Sequence, residues 1–321
     1  MKPAYTDLGM GITCIETHYQ RPGLASCYLL LRGEAAALID TGTAHTVPSI
    51  MALLGLLGVR PEQIKYLIPT HVHLDHAGGA GQLMQQLPEA QLVVHPQGAR
   101  HLIDPAKLAA GASAVYGKEK FAQDFGELEP VSESRVIEAQ DGLIIELNGR
   151  KLRCLDTPGH ARHHLCLWDE ESRGFFTGDT FGLAYKELYT EKGPFLMLPS
   201  TPVQFDPDAW HRTLDQLMEY RPERMYLTHY CGLENPMDVV GVLHQEIDAY
   251  VELALAAAPS ERDTAIRISL RNFYLDRLRA HGCRLSEQEI DRLLEMDIEL
   301  CAQGLLVWLN RREKEPRKAN S

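Results

Sequence analysis

Histidine and aspartate side chains are concentrated in one short segment of the chain. Within six positions it places four residues that can bind a metal: His71, His73, Asp75 and His76. Imidazole and carboxylate groups are the usual ligands of divalent metals such as zinc, and a catalytic site needs several of them to converge. Residues 66–68 predict a buried strand before the segment, and residues 78–87 predict a helix after it. We therefore expect the cluster on a loop at a strand end, where a fixed scaffold directs ligands into a cleft.

Four more predicted strands end in a side chain that suits a metal site. Each of these residues follows an apolar run: Asp40, His160, Asp179 and His229. Because a metal site draws ligands from distant segments, we expect these strand ends to meet the first cluster in one cleft. Taken singly, His160 and His229 would more often be ordinary histidines, and Asp40 could be only a turn former. Their shared position at strand ends favours the metal interpretation.

Strands and helices alternate along the first part of the chain, which is typical of an α/β fold built in layers. Asp-Gly and Asn-Gly pairs near residues 141 and 148 predict antiparallel hairpins. After Pro236 the pattern becomes wholly helical, and Ser286 and Glu289 form the capping box of a helix. We place a boundary near residue 258, between a catalytic domain of residues 1–258 and a helical domain of residues 259–321.

Three segments hold the expected determinants of substrate choice. Residues 98–130 are an irregular, mostly helical insertion, and residues 181–205 are a long loop region rich in aromatic residues, with prolines at 194, 199 and 202. Because this loop directly follows Asp179, we expect part of it to line a substrate pocket rather than serve only as packing. The amphipathic helices of residues 266–309 are interpreted as a packed cap, with a lid over the cleft or a homodimer interface as alternatives.

The charge balance indicates which partners to expect. With 44 acidic and 32 basic residues the formal charge is −12, which argues against a nucleic acid or an anionic membrane as partner. No segment approaches the roughly 20 apolar residues of a membrane span, and the start of the sequence lacks the apolar run of a signal peptide. The seven cysteines are scattered, without a Cys-x-x-Cys pair, as is typical of reduced thiols. We expect a cytoplasmic protein that acts on a small molecule.

In this order the five elements resemble the motifs of the metallo-β-lactamase fold superfamily of hydrolases. The matching residues are Asp40, the His71-x-His73-x-Asp75-His76 run, His160, Asp179 and His229, and the resemblance covers roughly residues 10–232. It implies a four-layered αβ/βα sandwich, in which two mixed sheets lie face to face with helices outside. The expected architecture is this α/β sandwich followed by a C-terminal helical appendage.

The resemblance also implies two divalent metal ions and a role for each residue. The ligands of the first ion would be His71, His73 and His160. The ligands of the second would be Asp75, His76 and His229, with Asp179 bridging the pair. Asp40 would orient ligands by hydrogen bonds from behind, and His164 is expected in the same supporting layer. Zinc is the favoured metal, with iron or manganese as alternatives.

The chemistry implied by this site is hydrolysis. Two close ions would ionise a water between them near neutral pH, against a pKa of about 15.7 in bulk water, and the hydroxide would attack a carbonyl or phosphoryl group. Asp75 would orient this nucleophile or take its proton. The expected substrate is a small ester, thioester, lactone or phosphodiester, with the glyoxalase II-like or lactonase-like branch unresolved. Two alternatives stay open: a mononuclear iron dioxygenase acting on a persulfide, and a regulatory module that retains the metal site.

Overall fold

The computed structural model describes residues 3–200 and 203–314, and these residues contain two mixed sheets. The first sheet has seven strands in sequence order: β1 Tyr5–Asp7, β2 Ile12–Glu16, β3 Ser26–Arg32, β4 Ala35–Ile39, β5 Ile64–Ile68, β6 Gln91–Val94 and β7 Val136–Glu138. Strands β1 to β4 pair antiparallel, whereas β4 to β7 pair parallel. The parallel half therefore places the carboxyl ends of β4 and β5 side by side.

The second sheet has six described strands: β8 Ile144–Leu147, β9 Arg150–Asp156, β10 Leu165–Asp169, β11 Gly174–Gly178, β12 Arg224–Leu227 and β13 Cys231–Glu234. Its spatial order runs from β13 through β12, β11, β10 and β9 to β8. Only β11 and β12 pair parallel, and their carboxyl ends meet at one edge. The hairpin predicted at Asn148-Gly149 is confirmed, since it joins β8 to β9. The hairpin predicted at Asp141-Gly142 is wrong, because β7 before this pair lies parallel to β6 in the first sheet, whereas β8 after it belongs to the second.

Ten α-helices are described: α1 Val47–Leu56, α2 Leu74–Ala77, α3 Ala80–Gln86, α4 Pro96–Ile103, α5 Ala106–Tyr116, α6 Lys118–Phe125, α7 Pro207–Glu219, α8 Val240–Ala256, α9 Arg262–His281 and α10 Glu287–Lys314. Helices α1, α3 and α4 share one hydrophobic cluster with the first sheet, and α7 to α10 share another with the second. A third cluster lies between the sheets. The predicted four-layered sandwich with added C-terminal helices is thus confirmed.

Strand β3 shows how the sequence builds these layers. Leu29 belongs to the cluster under α1, whereas Tyr28 and Leu30 belong to the cluster between the sheets. Successive side chains of a strand point to opposite faces, so a strand buried on both faces is apolar throughout. The apolar run that predicted this strand reflects its place in the middle of the sandwich.

The two irregular segments differ in structure. The 98–130 insertion contains the end of α4 together with α5 and α6. Residues 181–200 form a loop in which antiparallel bridges join Leu183 to Met197 and Thr190 to Gly193. Pro202 lies outside the described residues. The loop leads to α7, where the Asp206 side chain accepts the N–H of Ala209 at 3.0 Å as an N-terminal cap.

The C-terminal helices pack onto the second sheet rather than standing apart. Buried residues of α8, α9 and α10 belong to the same cluster as Phe181 to Ala184 and the core face of α7. The capping box predicted at the start of α10 is present, since Ser286 N–H donates to Glu289 at 2.8 Å and Glu289 N–H donates back at 3.3 Å. The domain boundary at residue 258 stays a prediction. The last seven residues of the predicted helical domain lie outside the described part of the chain.

Two further sequence expectations concern the surroundings of the chain. Among the described helices, none has the length and apolar character needed to cross a membrane. All seven cysteines are free, and only Cys283 is not buried. Burial raises the pKa of Cys154 and Cys166 to about 12, so these thiols stay protonated and unreactive.

Candidate metal centre

The facing edges of the two sheets carry the predicted ligands. His71 and His73 follow β5 of the first sheet, whereas His160, Asp179 and His229 follow β9, β11 and β12 of the second. Two groups of side chains converge there, each with its ligand atoms within 4.8 Å of one another. The first group is His71, His73, His160 and Asp179, and the second is Asp75, His76 and His229. All seven predicted ligands therefore lie in one place.

Part of the 71–76 segment differs from the expected loop. His71 and His73 do lie on a loop, but Asp75 and His76 belong to the one-turn helix α2. The turn forms because the N–H of Ala77 donates to the His73 carbonyl at 2.9 Å and that of Gly78 donates to Leu74 at 3.0 Å. The backbone thus changes from loop to helix at His73. As a result, His71 and His73 face the first group, whereas Asp75 and His76 face the second.

Asp179 lies between the two groups. Its Oδ2 is 3.4 Å from Nε2 of His160, and its Oδ1 is 3.2 Å from Nε2 of His76 and 3.6 Å from Nε2 of His229. Among the described residues, Oδ1 of Asp179 and Nε2 of His76 are buried and make no well-aligned hydrogen bond, although they lie 3.2 Å apart. Buried polar atoms normally have aligned partners, so two such atoms that face the same space fit a divalent ion that both would bind.

The first group is electrically neutral at physiological pH, apart from Asp179. Burial and the neighbouring histidines lower the pKa of His73 to about 3, and burial, against the opposing charge of Asp179, lowers that of His160 to about 4. Burial also holds the pKa of His71 well below its usual range. Nε2 of His71 and Nδ1 of His73 are 2.8 Å apart. Neutral imidazoles crowded in this way offer lone pairs to a cation.

The second group is an arrangement of alternating charges. Burial alone would raise the pKa of Asp75, but His76 and His229 outweigh it and lower the pKa to about 2. Burial would lower the pKa of His76, but Asp179 and Asp75 outweigh it and raise the pKa well above the usual value. The pKa of His229 is raised in the same way, chiefly by Asp179. In the protein alone, protons therefore occupy the positions that a cation would take.

Asp40 contacts His76 from behind, as the resemblance implied. Its Oδ2 lies 2.9 Å from Nδ1 of His76, and it also accepts the hydroxyl of Thr228 at 2.8 Å. Its Oδ1 accepts the N–H and the hydroxyl of Thr70, at 2.7 and 2.9 Å. Asp40 has a φ of 55°, a left-handed conformation that Asp adopts more readily than most residues.

Backbone carbonyls orient two other histidines of the site. Nδ1 of His160 lies 2.8 Å from the carbonyl oxygen of Pro199, and Nδ1 of His229 lies 2.6 Å from that of Leu24. A carbonyl oxygen only accepts, so in both rings Nδ1 carries the hydrogen and donates it. When the ring is neutral, Nε2 then carries the lone pair that faces the cluster, which is the tautomer a metal ligand needs.

His164 and His163 occupy the layer behind the ligands. Nε2 of His164 accepts the N–H of Asp179 at 3.3 Å, and its Nδ1 lies 2.9 Å from the hydroxyl of Thr157. His164 therefore supports the loop that carries Asp179. His163 is only 7% exposed, with its ring 5.6 Å from that of His73.

Sequence reasoning missed the residues that other segments bring near the site. Asp297 of α10 accepts the hydroxyl hydrogen of Tyr185 at 3.0 Å. Burial raises the pKa of Asp297 to about 6, although Tyr185 and the charge of His229 oppose this shift. Burial and the charge of Asp75 raise the pKa of Tyr116 to about 12. No motif marks Asp297, because it is one of many acidic residues on an amphipathic helix, and only tertiary packing reveals its place.

A sandwich of two mixed sheets with a buried His/Asp cluster at their facing edges defines a class of proteins that can hold metal ions between the sheets. A model of the metallo-beta-lactamase superfamily matches residues 21–229. The chain therefore belongs to the metallo-beta-lactamase superfamily, as its five motifs predicted.

Individual relatives agree with this assignment. A metallo-beta-lactamase fold-containing protein of Sulfurisphaera tokodaii is 26% identical over 67% of this chain and 76% of its own length. An acyl-coenzyme A thioesterase of Gallus gallus is 31% identical over 55% of this chain and 65% of its own, so less than two-thirds of that relative is matched. A metallo-beta-lactamase family protein from Thermus thermophilus has the same fold, with a TM-score of 0.63 and 21% identity over 96% of this chain and 95% of that one.

Proposed function

We propose that the chain is a dinuclear metal-dependent hydrolase that acts on a small thioester, with esters, lactones and phosphodiesters as the related alternatives. The observation that supports it best is the division of seven ligand side chains into two groups with Asp179 between them. The preference for thioesters is supported by the acyl-coenzyme A thioesterase among the relatives.

Each residue has a definite part in this proposal. One ion would be held by His71, His73 and His160. The other ion would be held by Asp75, His76 and His229. Asp179 would contribute to both positions. When bound, the ions supply Lewis acidity and lower the pKa of coordinated water, which makes a nucleophile available at neutral pH. The carboxylates of Asp75 and Asp179 offset part of the positive charge, and the neutral imidazoles leave the first position strongly acidic in the Lewis sense.

Asp75 is the carboxylate of the ligand set that is most open to the cleft. Its side chain is 22% exposed, against 8% for Asp179. Its Oδ2 faces Nε2 of His229 at 3.3 Å. The other carboxylate oxygen would accept a hydrogen bond from the attacking nucleophile and orient it, because a low pKa keeps Asp75 ionised but also makes it a weak base. Asp75 is thus both a proposed ligand and the group proposed to orient the nucleophile.

The test combines metal analysis with a substrate panel. Protein purified from medium supplemented with zinc, iron and manganese is expected to hold about two ions per chain and to release thiol from acyl-coenzyme A substrates. Asp75→Asn and Asp179→Asn should abolish hydrolysis, and Asp179→Asn should also lower the metal content. Asp156→Asn is the matched control, because Asp156 also ends a strand near the site but pairs with His95 at 3.1 Å.

Three results would contradict the proposal. Absence of bound metal after supplementation would remove its basis. Full occupancy without hydrolysis of any thioester, ester, lactone or phosphodiester would instead indicate a binding module. One iron per chain with oxygen uptake on a persulfide would indicate a dioxygenase.

A further inference from the structure

Residues 198–200 of the loop after Asp179 connect the C-terminal helices to the metal centre. The carbonyl of Pro199 accepts the Nδ1 hydrogen of His160 at 2.8 Å. No described strand contains Pro199, so the sheets do not fix the position of this carbonyl. The contacts of its two neighbours, Leu198 and Ser200, must therefore set it.

Both backbone polar groups of Leu198 are bound by α8. The N–H of Leu198 donates to Oε1 of Glu246 at 3.0 Å, and the hydroxyl of Tyr250 donates to the Leu198 carbonyl at 2.6 Å. Glu246 and Tyr250 are four residues apart, so they lie on one face of the helix. On the other side of Pro199, the hydroxyl of Ser200 donates to the carbonyl of Cys301 in α10 at 3.2 Å.

Glu246 is itself fixed by helix α9. Its carboxylate is almost fully buried, and it pairs with Arg277 and accepts the hydroxyl of Tyr274 at 2.8 Å. Arg277 also donates to the carbonyl of Leu196 at 3.1 Å. A buried carboxylate is stable only when it is paired and hydrogen-bonded, and the geometry of such a network is restricted. The network thus holds the loop from two directions.

We propose that Glu246 and Tyr250 are positioning residues for His160. By binding both polar groups of Leu198 they place the Pro199 carbonyl, which in turn sets the orientation of the His160 ring and directs its Nε2 toward His73 and Asp179. This inference rests on the proposed function in one respect, that His160 is a metal ligand. Supporting hydrogen bonds to a ligating histidine typically change metal affinity about 10–100-fold when they are lost.

Tyr250→Phe is the decisive variant, because it removes the hydroxyl that binds the Leu198 carbonyl. That hydroxyl also contacts Glu246 at 3.0 Å and the hydroxyl of Tyr274. Tyr274→Phe is its matched control: Tyr274 is equally buried in the same network, but its hydroxyl contacts Glu246 and Tyr250 rather than the loop. Zinc affinities measured by chelator competition should show one of the two ions about 10-fold weaker in Tyr250→Phe. The loss of affinity should be clearly smaller in Tyr274→Phe, because Glu246 keeps its ion pair with Arg277 and its bond to Leu198. Glu246→Gln, which keeps an acceptor for Leu198, should retain most of the affinity.

A second readout does not depend on metal. In protein with ¹⁵N-labelled histidine, the Nδ1 hydrogen of His160 should be protected from solvent exchange, and Tyr250→Phe should increase its exchange rate. The Nδ1 hydrogen of His229, which binds Leu24, is the internal control and should not change. Equal effects of Tyr250→Phe and Tyr274→Phe on affinity and exchange, in step with equal losses of stability, would overturn the inference. A protein that binds no metal would refute the proposed function, while the exchange measurement would still decide the inference.

Discussion

Oδ2 of Asp40 lies 2.9 Å from Nδ1 of His76, and this contact determines which nitrogen of His76 faces the site. Asp40 accepts a hydrogen bond from Nδ1 of His76, so Nε2 of His76 is directed toward Asp75 and Asp179. The same carboxylate binds Thr70, next to His71, and Thr228, next to His229. One buried acid thereby fixes the strand ends of both sheets relative to each other.

Asp40→Asn should weaken metal binding by about 10–100-fold at the position formed by Asp75, His76 and His229. Both oxygens of the Asp40 carboxylate accept hydrogen bonds, whereas an amide has one oxygen and one NH₂ group. In the variant, at least one of the donors around residue 40 would therefore face an NH₂ group. Asn tolerates the positive φ at this position, which keeps the backbone intact. Chelator competition on the two ions measures the effect. Equal affinity of the variant and the parent would show that Asp40 only forms a turn.

The metal-free protein should be most stable near pH 6.5 and should lose stability on both sides. On the acidic side, His73 and His160 take up protons near pH 6.5 in the unfolded chain but only near pH 3 and 4 in the folded protein. The unfolded state therefore binds more protons in this window, and stability falls as the pH drops through it. On the alkaline side, the raised pKa values of His76 and His229 mean that their stabilising protons are lost as the pH rises. Urea midpoints measured with a chelator present test this shape, and a midpoint still rising at pH 8 would contradict it.

Asp297→Asn should stabilise the protein above pH 6 and have little effect at pH 4. The folded pKa of about 6 exceeds the usual value, so the proton on Asp297 contributes stability at low pH that is lost as the pH rises through 6. Asn removes the cost of an ionised buried carboxylate and still accepts from Tyr185. The difference in unfolding free energy between variant and parent, followed from pH 4 to 8, measures this. A destabilised variant at pH 8 would indicate that a charged Asp297 is needed where it lies.

The buried ion pair of Arg150 and Asp169 offers a stability test away from the site. Both side chains are almost fully buried, and Nε of Arg150 donates to Oδ1 of Asp169 at 2.8 Å. Arg150→Met should cost about 3–5 kcal/mol, because it leaves an unpaired buried carboxylate. The double variant Arg150→Met with Asp169→Leu should lose less than the single one. Denaturant unfolding measures both, and an unaffected single variant would show that water reaches Asp169.

The sequence was informative where residue type alone specifies chemistry. The seven ligand candidates, Asp40 and the alternation of strands and helices all follow from short local patterns, and the superfamily follows from their order. Residues such as Asp297, Glu246 and Tyr250 carry no local signal, since a carboxylate or a phenol on a helix is usually solvated or packed. Their places depend on how three helices cover one loop, and no periodicity in the sequence records that arrangement.

The attachment of residues 198–200 to α8 and α10 has a consequence for recombining this chain with its relatives. A crossover at Pro259 would join the loop and Glu246 to foreign helices that are not selected to place an arginine at the position of Arg277 or a backbone carbonyl at that of Cys301. A crossover before Gly182 would transfer the loop and all the helices that hold it as one block. The module that can be exchanged is therefore defined by hydrogen bonds rather than by the point where the chain becomes helical.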